Sequence, residues 1–595
     1  MKIKIEINSG NARITTTDSK SNQWETLKRI IKDTLLVTEA SISSFEIEWH
    51  VFLAYRGEIN KLCRIYNIEV EVTEDVRLQL SSAISISYNK VKDNLQINEN
   101  ILMARLKEVG FKRTLTNEQK RNVQKMVAFP AYATFSVPGA GKTTEALAYF
   151  FYSAQENDKL LIVAPKNAFP AWDEQLAECI DSNEPVVRLT GGSNNIQNAL
   201  LEKPKYSIIA YRQFSLVTAI IKEYLSKNSV FMFLDESHRI KGGSGKVIVD
   251  SILQTSYLPK RKLILSGTPM PQSDADLEPQ IKFLYPEINL QNNSSIELIK
   301  PIYVRTTKKE LGLEPPKRIE IQVSLTAEQQ AFYRLLKSET ARQVQGVSRF
   351  NRANLRRMGR SIIKLMQFVS NPALLAQDVA GTFSEELSKI LVEGKSIKVD
   401  YACERARQLA RKGEKSIIWT SFVSNVELIS NRLEDIGADF IHGGVDAGDD
   451  NENDTREGKI KKFHDDPNAM VLVANPAAAS EGISLHKICH TAIYVDRSFN
   501  AAHYLQSEDR IHRLGLASGI STNIEIIECK DTIDKVVDTR LKNKVARMAE
   551  VLNDKSLNIN KDDYIFEEDN DVLNIVGLDE GDATAILDYL RGNDD

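Results

Sequence analysis

Nine consecutive residues, Ser136-Val-Pro-Gly-Ala-Gly-Lys-Thr-Thr144, have the make-up of a turn that holds phosphate. Lacking side chains, Gly139 and Gly141 let backbone amides approach phosphate oxygens. Lys142 reaches the outer phosphates, Thr143 offers a hydroxyl to magnesium, and Thr144 completes the nucleotide contacts. Ser136 stands where the usual pattern opens with glycine. A second segment, Phe231-Met-Phe-Leu-Asp-Glu-Ser-His238, is an apolar run that ends in adjacent carboxylates. Two acids at a strand end divide the labour of hydrolysis, Asp235 holding magnesium through water and Glu236 polarising the attacking water.

Such a site needs a loop set between a strand and a helix, with the acids at the end of a nearby strand. Short apolar runs at 133–137, 160–164, 207–210, 230–234 and 263–265, separated by helical lengths, predict a parallel sheet. A second series at 416–420, 439–442, 470–474, 492–495 and 524–528 predicts another. The fold class expected is therefore α/β with two lobes: residues 111–300 form the first and 401–550 the second. Residues 301–400 are expected to be a helical insertion between them. Residues 1–110 mix strand-like stretches (1–7, 68–72) with a helical pattern (26–36) and are expected to be an α+β accessory domain. Residues 551–595 read as an acidic tail, and 446–453 as an exposed loop.

Further motifs flank the two chemical segments. Leu115-Thr-Asn-Glu-Gln119, Ala164-Pro-Lys166 with Trp172, Ala210-Tyr-Arg-Gln-Phe214, Leu265-Ser-Gly-Thr-Pro269 and Tyr303-Val-Arg-Thr-Thr-Lys-Lys309 lie in the first half. Ile417-Ile-Trp-Thr-Ser-Phe422, Ala478-Ala-Ser-Glu-Gly-Ile-Ser-Leu485 and Tyr504-Leu-Gln-Ser-Glu-Asp-Arg-Ile-His-Arg-Leu-Gly515 lie in the second. Over about residues 113–545 the chain resembles the superfamily-two helicase-like ATPases, and within them the switch/sucrose-non-fermenting (SWI/SNF) type of double-stranded DNA translocase. The resemblance implies RecA-like lobes, ATP and magnesium as cofactors, and double-stranded DNA as partner. It implies that Gln119 reads adenine and that His238, Ser266 and Thr268 couple hydrolysis to movement. Arg510 and Arg513, three apart on one helix face, would meet the charge of the transferred phosphoryl group, with Gln506 beside them as a catalytic residue. The segments around Lys166 and Tyr211 would lie on the DNA-facing side, with Arg305 a further DNA contact. Ala478 to Leu485 departs from the family's usual glycine-rich form. No long insertion of the nucleosome-remodelling kind is evident, so a bacterial or phage-type translocase is expected. Two other readings are a strand-separating or annealing helicase serving a DNA-defence or repair complex, and an ATP-gated DNA scaffold.

The chain has 595 residues and a formal net charge of −4. Hydrophobic residues make up 42% and charged residues 27%, which excludes collagen-like, wholly disordered and disulfide-scaffold classes. Five scattered cysteines form no CxxC pair, and no apolar run is long enough to span a membrane, so a cytoplasmic, nucleoid-associated protein is expected. His486, Cys489 and His490 read as core residues, not metal ligands. From Lys561 onward twelve acids face two basic residues, which leaves +6 on residues 1–560. The acidic end is expected either to be a solubilising tail with one amphipathic turn near 586–590 or to compete with DNA for a basic body, its apolar residues Ile586, Leu587 and Leu590 docking the tail or binding a partner. This tail or residues 1–110 is the expected place for a protein partner. Residues 342–364 hold seven basic side chains, Arg356, Arg357 and Arg360 among them, and no acid occurs from 341 to 377, which fits a DNA-backbone contact or equally a solvated helix face. Replacing Arg356 and Arg357 by Ala should weaken DNA binding for all sequences alike and flatten its salt dependence by about one unit per lost phosphate contact, measured as affinity across a salt series.

Overall fold

The computed structural model describes the chain except residues 9–10, 35–36, 86–87, 89–95, 182–183, 241–246, 271–272, 287, 289, 291–293, 345–351, 376–394, 446–453, 480–483, 517–518, 555–556, 558–578 and 592–595. It divides into two compact units, residues 1–269 with 274–306, and residues 270–273 with 307–595.

The first unit holds two sheets. Strands β1 (Lys2–Asn8), β2 (Asn11–Thr16), β3 (Val37–Ala40), β4 (Ser44–Glu48) and β5 (Glu69–Val72) form a mixed sheet in the order β3-β4-β2-β1-β5. Alternation sets its core: Ile3 and Ile5, with Ala12 and Ile14, are buried, while Lys2 and Lys4 are exposed. Trp24 and Leu27 from the helix Asn22–Thr34, and Phe52 and Leu53 from Trp49–Ile65, are also buried.

The larger sheet of this unit contains β6 (Ala131–Thr134), β7 (Lys159–Ala164), β8 (Val186–Arg188), β9 (Tyr206–Ala210), β10 (Val230–Asp235), β11 (Arg261–Leu265) and β12 (Tyr303–Val304) in the order β12-β6-β11-β10-β7-β9-β8, all parallel. Val230 to Leu234 are at most 1% exposed. Burial on both faces requires an unbroken apolar run, and each such side chain contributes about 1.5–3 kcal/mol. Asp235 pairs with Leu265, and Leu265 with Thr134, so β10, β11 and β6 end level. The segments that follow these three strands therefore share one edge, the carboxyl edge where α/β sheets bind ligands.

The second unit has one parallel sheet: β13 (Lys317–Val323), β14 (Lys415–Trp419), β15 (Asp439–Ile441), β16 (Val471–Ala474), β17 (Cys489–Tyr494) and β18 (Asn523–Cys529), ordered β13-β18-β17-β14-β16-β15. Every strand predicted for the two lobes is present to within three residues at either end. Residues 301–400 are not purely helical, because β13 pairs with β18 as an edge strand. Its sequence, KRIEIQV, alternates with period two, a pattern overlooked beside the long helices Ala327–Val344 and Arg352–Ser370. The expected loop 446–453 lies outside the described residues. Cys489 is buried in β17, and no group of three metal-ligating side chains occurs among the described residues.

The acidic end docks through the apolar residues Ile586, Leu587 and Leu590, as their near-helical spacing allowed, but as a longer helix than the single turn expected. Residues 580–591 form a helix, Glu580–Arg591, in which Ala583 and Ile586 are fully buried. It packs on Ala327–Val344 and Ile533–Val551. Asp582 accepts from Lys544 Nζ at 2.6 Å and Arg540 Nε at 2.8 Å, and Tyr333 and Tyr589 join hydroxyls at 2.7 Å. Asp579 and Asp582 are thus spent on cations of their own unit and are not available to compete for the rest of the body. Residues 558–578 lie outside the described residues. Asp582→Ala leaves the buried Lys544 and the half-buried Arg540 with half their compensation, and should destabilise the second unit by about 3–5 kcal/mol in denaturant unfolding.

Candidate functional site

The phosphate-holding turn follows β6 and leads into the helix Lys142–Ser153. Gly139 and Gly141 take φ of +88° and +82°, a region closed to most residues with a β-carbon. At Gly141 a Cβ would fall 2.3 Å from Gln119 Nε2, so the backbone of the turn is packed directly on that glutamine. Gln119 is buried. It forms a capping box with Thr116, its Oε1 accepting from Thr116 N at 3.0 Å, while its Nε2 donates to Ala140 O at 3.0 Å. The amino end of a twelve-residue helix adds its positive dipole end and free N–H groups to Lys142. Lys142 Nζ would lie 3.7 Å from a Cβ at Gly267, which places the ammonium beside the segment after β11. Thr143 is half-buried. Thr144, expected among the nucleotide contacts, is fully buried and donates to Gln175 Oε1 at 3.0 Å, so its hydroxyl serves the fold.

At the end of β10, Asp235 accepts from Trp172 Nε1 at 2.8 Å, and Tyr211 Oη donates to the Asp235 carbonyl at 2.7 Å. Trp172 and Tyr211 were expected on the DNA-facing side; both are buried and hold the acid instead. Burial, with Glu236 adjacent, pushes the Asp235 carboxyl up to about 6. Glu236 adopts φ 49°, ψ 54°, a left-handed conformation costly for a non-glycine residue and of the kind stored at functional sites. Its Oε2 lies 3.3 Å from His238 Nδ1, and that nitrogen lies 3.1 Å from Ser266 Oγ. Ser266 Oγ also accepts from Thr268 N at 3.1 Å. The acids and the segment after β11 are bridged a second time, since Ser237 donates to Gln280 Oε1 at 2.8 Å and Gln280 Nε2 donates to Pro269 O at 2.7 Å. Gln280 was not anticipated from sequence. It lies in the helix Leu277–Leu284 and carries no motif of its own.

Thr143 and Asp235 offer hard oxygen ligands, and a carboxyl held near 6 by desolvation gains from a nearby divalent cation, so these residues fit magnesium.

Sequence reasoning also missed a polar cluster behind the turn. Glu145, fully buried, accepts from Asn122 Nδ2 at 2.7 Å and Thr134 Oγ1 at 2.7 Å. Asn122 follows Gln119 by three on one helix and Glu145 follows Lys142 by three on another, a spacing that puts each pair on one face. Arg305, expected to meet DNA, is buried too, with its guanidinium donating to the carbonyl of Phe135. Lys166 is exposed just beyond β7, and Arg360 is exposed on Arg352–Ser370. The side chains of Arg356 and Arg357 lie outside the described residues.

In the second unit the helix Ala501–Glu508 ends before Arg510 and Arg513, so these arginines occupy the turns that follow and not one helix face. Arg510 is buried, its Nε donating to Gln506 O at 2.8 Å; Arg513 is half-buried; Gln506 is buried. The turn is anchored within its own unit by Arg318 on Glu508 at 3.1 and 2.6 Å and by His512 Nε2, 2.7 Å from Glu314 O. Residues 480–483 of the segment Ala478 to Leu485 lie outside the described residues.

Residues 135–295 match the SNF2-related domain and residues 398–515 the helicase conserved C-terminal domain. The chain is 22% identical over 565 residues to the transcription regulatory protein SNF2 of Saccharomyces cerevisiae, covering 86% of this chain and 31% of that protein. It is 24% identical over 440 residues to the putative ATP-dependent helicase/translocase YwqA of Bacillus subtilis, covering 68% of this chain and 45% of that one. It thus spans less than half the length of either relative. The helicase domain of Pyrococcus furiosus Hef aligns with a TM-score of 0.43 at 17% identity, over 70% of this chain and 96% of that one.

The buried cluster has a measurable signature. Burial pushes Glu145 from an ordinary value of 4.5 up to about 7, so the fold binds its proton more tightly than the unfolded chain does. Its contribution to stability is complete below pH 4.5 and is lost as pH rises through 7. Glu145→Gln, which has no proton to lose, should gain on the parent by on the order of 3 kcal/mol across that interval and not beyond it, read from chemical unfolding at a series of pH values.

Proposed function

Because residues 135–295 match the SNF2-related domain and 398–515 the helicase conserved C-terminal domain, we propose that the chain is a superfamily-two helicase-like ATPase of the SNF2 type that hydrolyses ATP, with magnesium, to move along double-stranded DNA. One arrangement carries the reading: the glycine turn after β6, the acids ending β10 and the Ser266 segment after β11 lie on one sheet edge, with His238 bonded across to Ser266. A hydrolysis site wired by hydrogen bonds to a neighbouring loop has a route for passing on its state.

In this reading Lys142 and the helix amino end bind the outer phosphates, and Gln119 uses its second amide proton for the adenine ring. Thr143 and Asp235 hold magnesium, whose charge offsets that of the phosphates when bound. Glu236 polarises the attacking water, its strained backbone aiming the carboxylate. Arg510 and Arg513, with Gln506, answer the charge that develops on the phosphoryl group. Lys166 and Arg360 contact the DNA backbone, and residues 1–110 are the proposed site for a protein partner.

The test is steady-state ATP turnover with linear duplex, closed circular duplex, single-stranded DNA, RNA and no nucleic acid. Both duplex forms should stimulate turnover most; dependence on free ends or single strands, with displacement of an annealed strand, would favour a strand-separating helicase. Lys142→Ala should lose ATP affinity, while Glu236→Gln should keep it and turn over roughly 10²- to 10⁴-fold more slowly. The Arg510→Ala, Arg513→Ala pair should bind ATP but lose on the order of 10³-fold in rate. Turnover indifferent to every nucleic acid would refute the proposal.

A further inference from the structure

Phe135 N donates to Val304 O at 2.8 Å and Val137 N donates to Thr306 O at 3.0 Å, which continues the β6–β12 ladder past the strand ends. In a parallel ladder the next bond in that series runs from Thr306 N to Phe135 O. Here the acceptor is different. Phe135 O is taken by the guanidinium of Arg305, and Thr306 N donates to Ser136 Oγ at 3.0 Å. Ser136 is fully buried, with Thr134 Oγ1 3.2 Å and Asn122 Nδ2 3.4 Å from its hydroxyl. Asn122 Nδ2 also donates to Thr306 Oγ1 at 3.0 Å, so Thr306 is held by backbone and side chain together. Thr306 is the last residue of the first unit, and Thr307 begins the long segment of the second.

We infer that Ser136 is a positioning residue: its hydroxyl ties the opening of the phosphate-holding turn to the chain connection at Thr306, so that a shift of the turn on nucleotide uptake passes into the residues that lead to the second unit. The inference rests on the ATPase reading above. It explains the departure from the usual pattern. Glycine at this position has no side-chain atom to accept from Thr306 N, so the tie from the turn to the chain connection would be lost.

The experiment uses the full chain with Ser136→Ala and Ser136→Gly, the second being the residue type the pattern normally carries and so compatible with the turn. Amide hydrogen exchange is followed in peptides spanning 136–145 and 300–310, with and without a non-hydrolysable ATP analogue and magnesium, beside steady-state kinetics with duplex DNA. The parent should show nucleotide-dependent protection in both peptides. In the variants the first peptide should still respond and the second should not. The DNA-stimulated kcat should fall roughly tenfold to a hundredfold while KM for ATP stays within about threefold. A nucleotide response at 300–310 that survives in both variants would overturn the inference and leave the ATPase reading standing. A parent that shows no response in either peptide and no turnover would overturn both.

Discussion

A carboxylate withdrawn from water must be neutralised, bonded or paired, and much of the first unit's edge follows from that constraint. Asp235 sits at the end of β10 and Glu145 beneath the glycine turn, and each is ringed by donors: Trp172 for the one, Asn122 and Thr134 for the other. Those donors come from distant parts of the chain, so fixing two acids also fixes the helices Asn117–Met126 and Phe169–Cys179 and the strand β6 around them. A rigid frame of this kind holds its polar side chains in place without relying on a ligand to assemble them.

The second unit meets the same constraint with full charges. Arg497 reaches Glu528 at 2.6 Å and Asp538 at 2.7 Å, Arg405 grips Glu525, and Arg318 grips Glu508. Buried pairs of this sort add little net stability over apolar packing, yet removing either partner strands the other. They specify where β13, β18 and the turn bearing Arg510 must sit, which apolar packing alone would leave less defined.

Both parallel sheets were legible in the sequence because strands buried on both faces need unbroken apolar runs and the helices between them need length. The glycine turn and the paired acids were legible because phosphate and water chemistry narrows the residue choice. What escaped were residues whose partners lie far along the chain. Arg305 looks like a surface cation until Phe135 O is seen to need a donor, and Trp172 and Tyr211 look like surface motif residues until they are found on Asp235. Arg510 and Arg513 have helical spacing, but nothing local signals that the helix stops at Glu508. The acidic end misled for a related reason: twelve acids dominate its composition, whereas the few that matter to the fold are matched by Arg540 and Lys544, which lie outside that window.

The helix Glu580–Arg591 also bears on the order in which the second unit can be completed as the chain is made. Tyr589 meets Tyr333 at a sequence separation of 256, and Lys544 meets Asp582 at one of 38. At roughly 5–20 residues per second of synthesis, the helix Ala327–Val344 waits for on the order of tens of seconds before its covering helix exists. Throughout that interval the nascent unit carries an uncovered apolar stripe, and over its last few seconds also a lysine without its acid. A growing chain in that condition exposes apolar surface of the kind that chaperones bind, and the helix Glu580–Arg591 covers it once made.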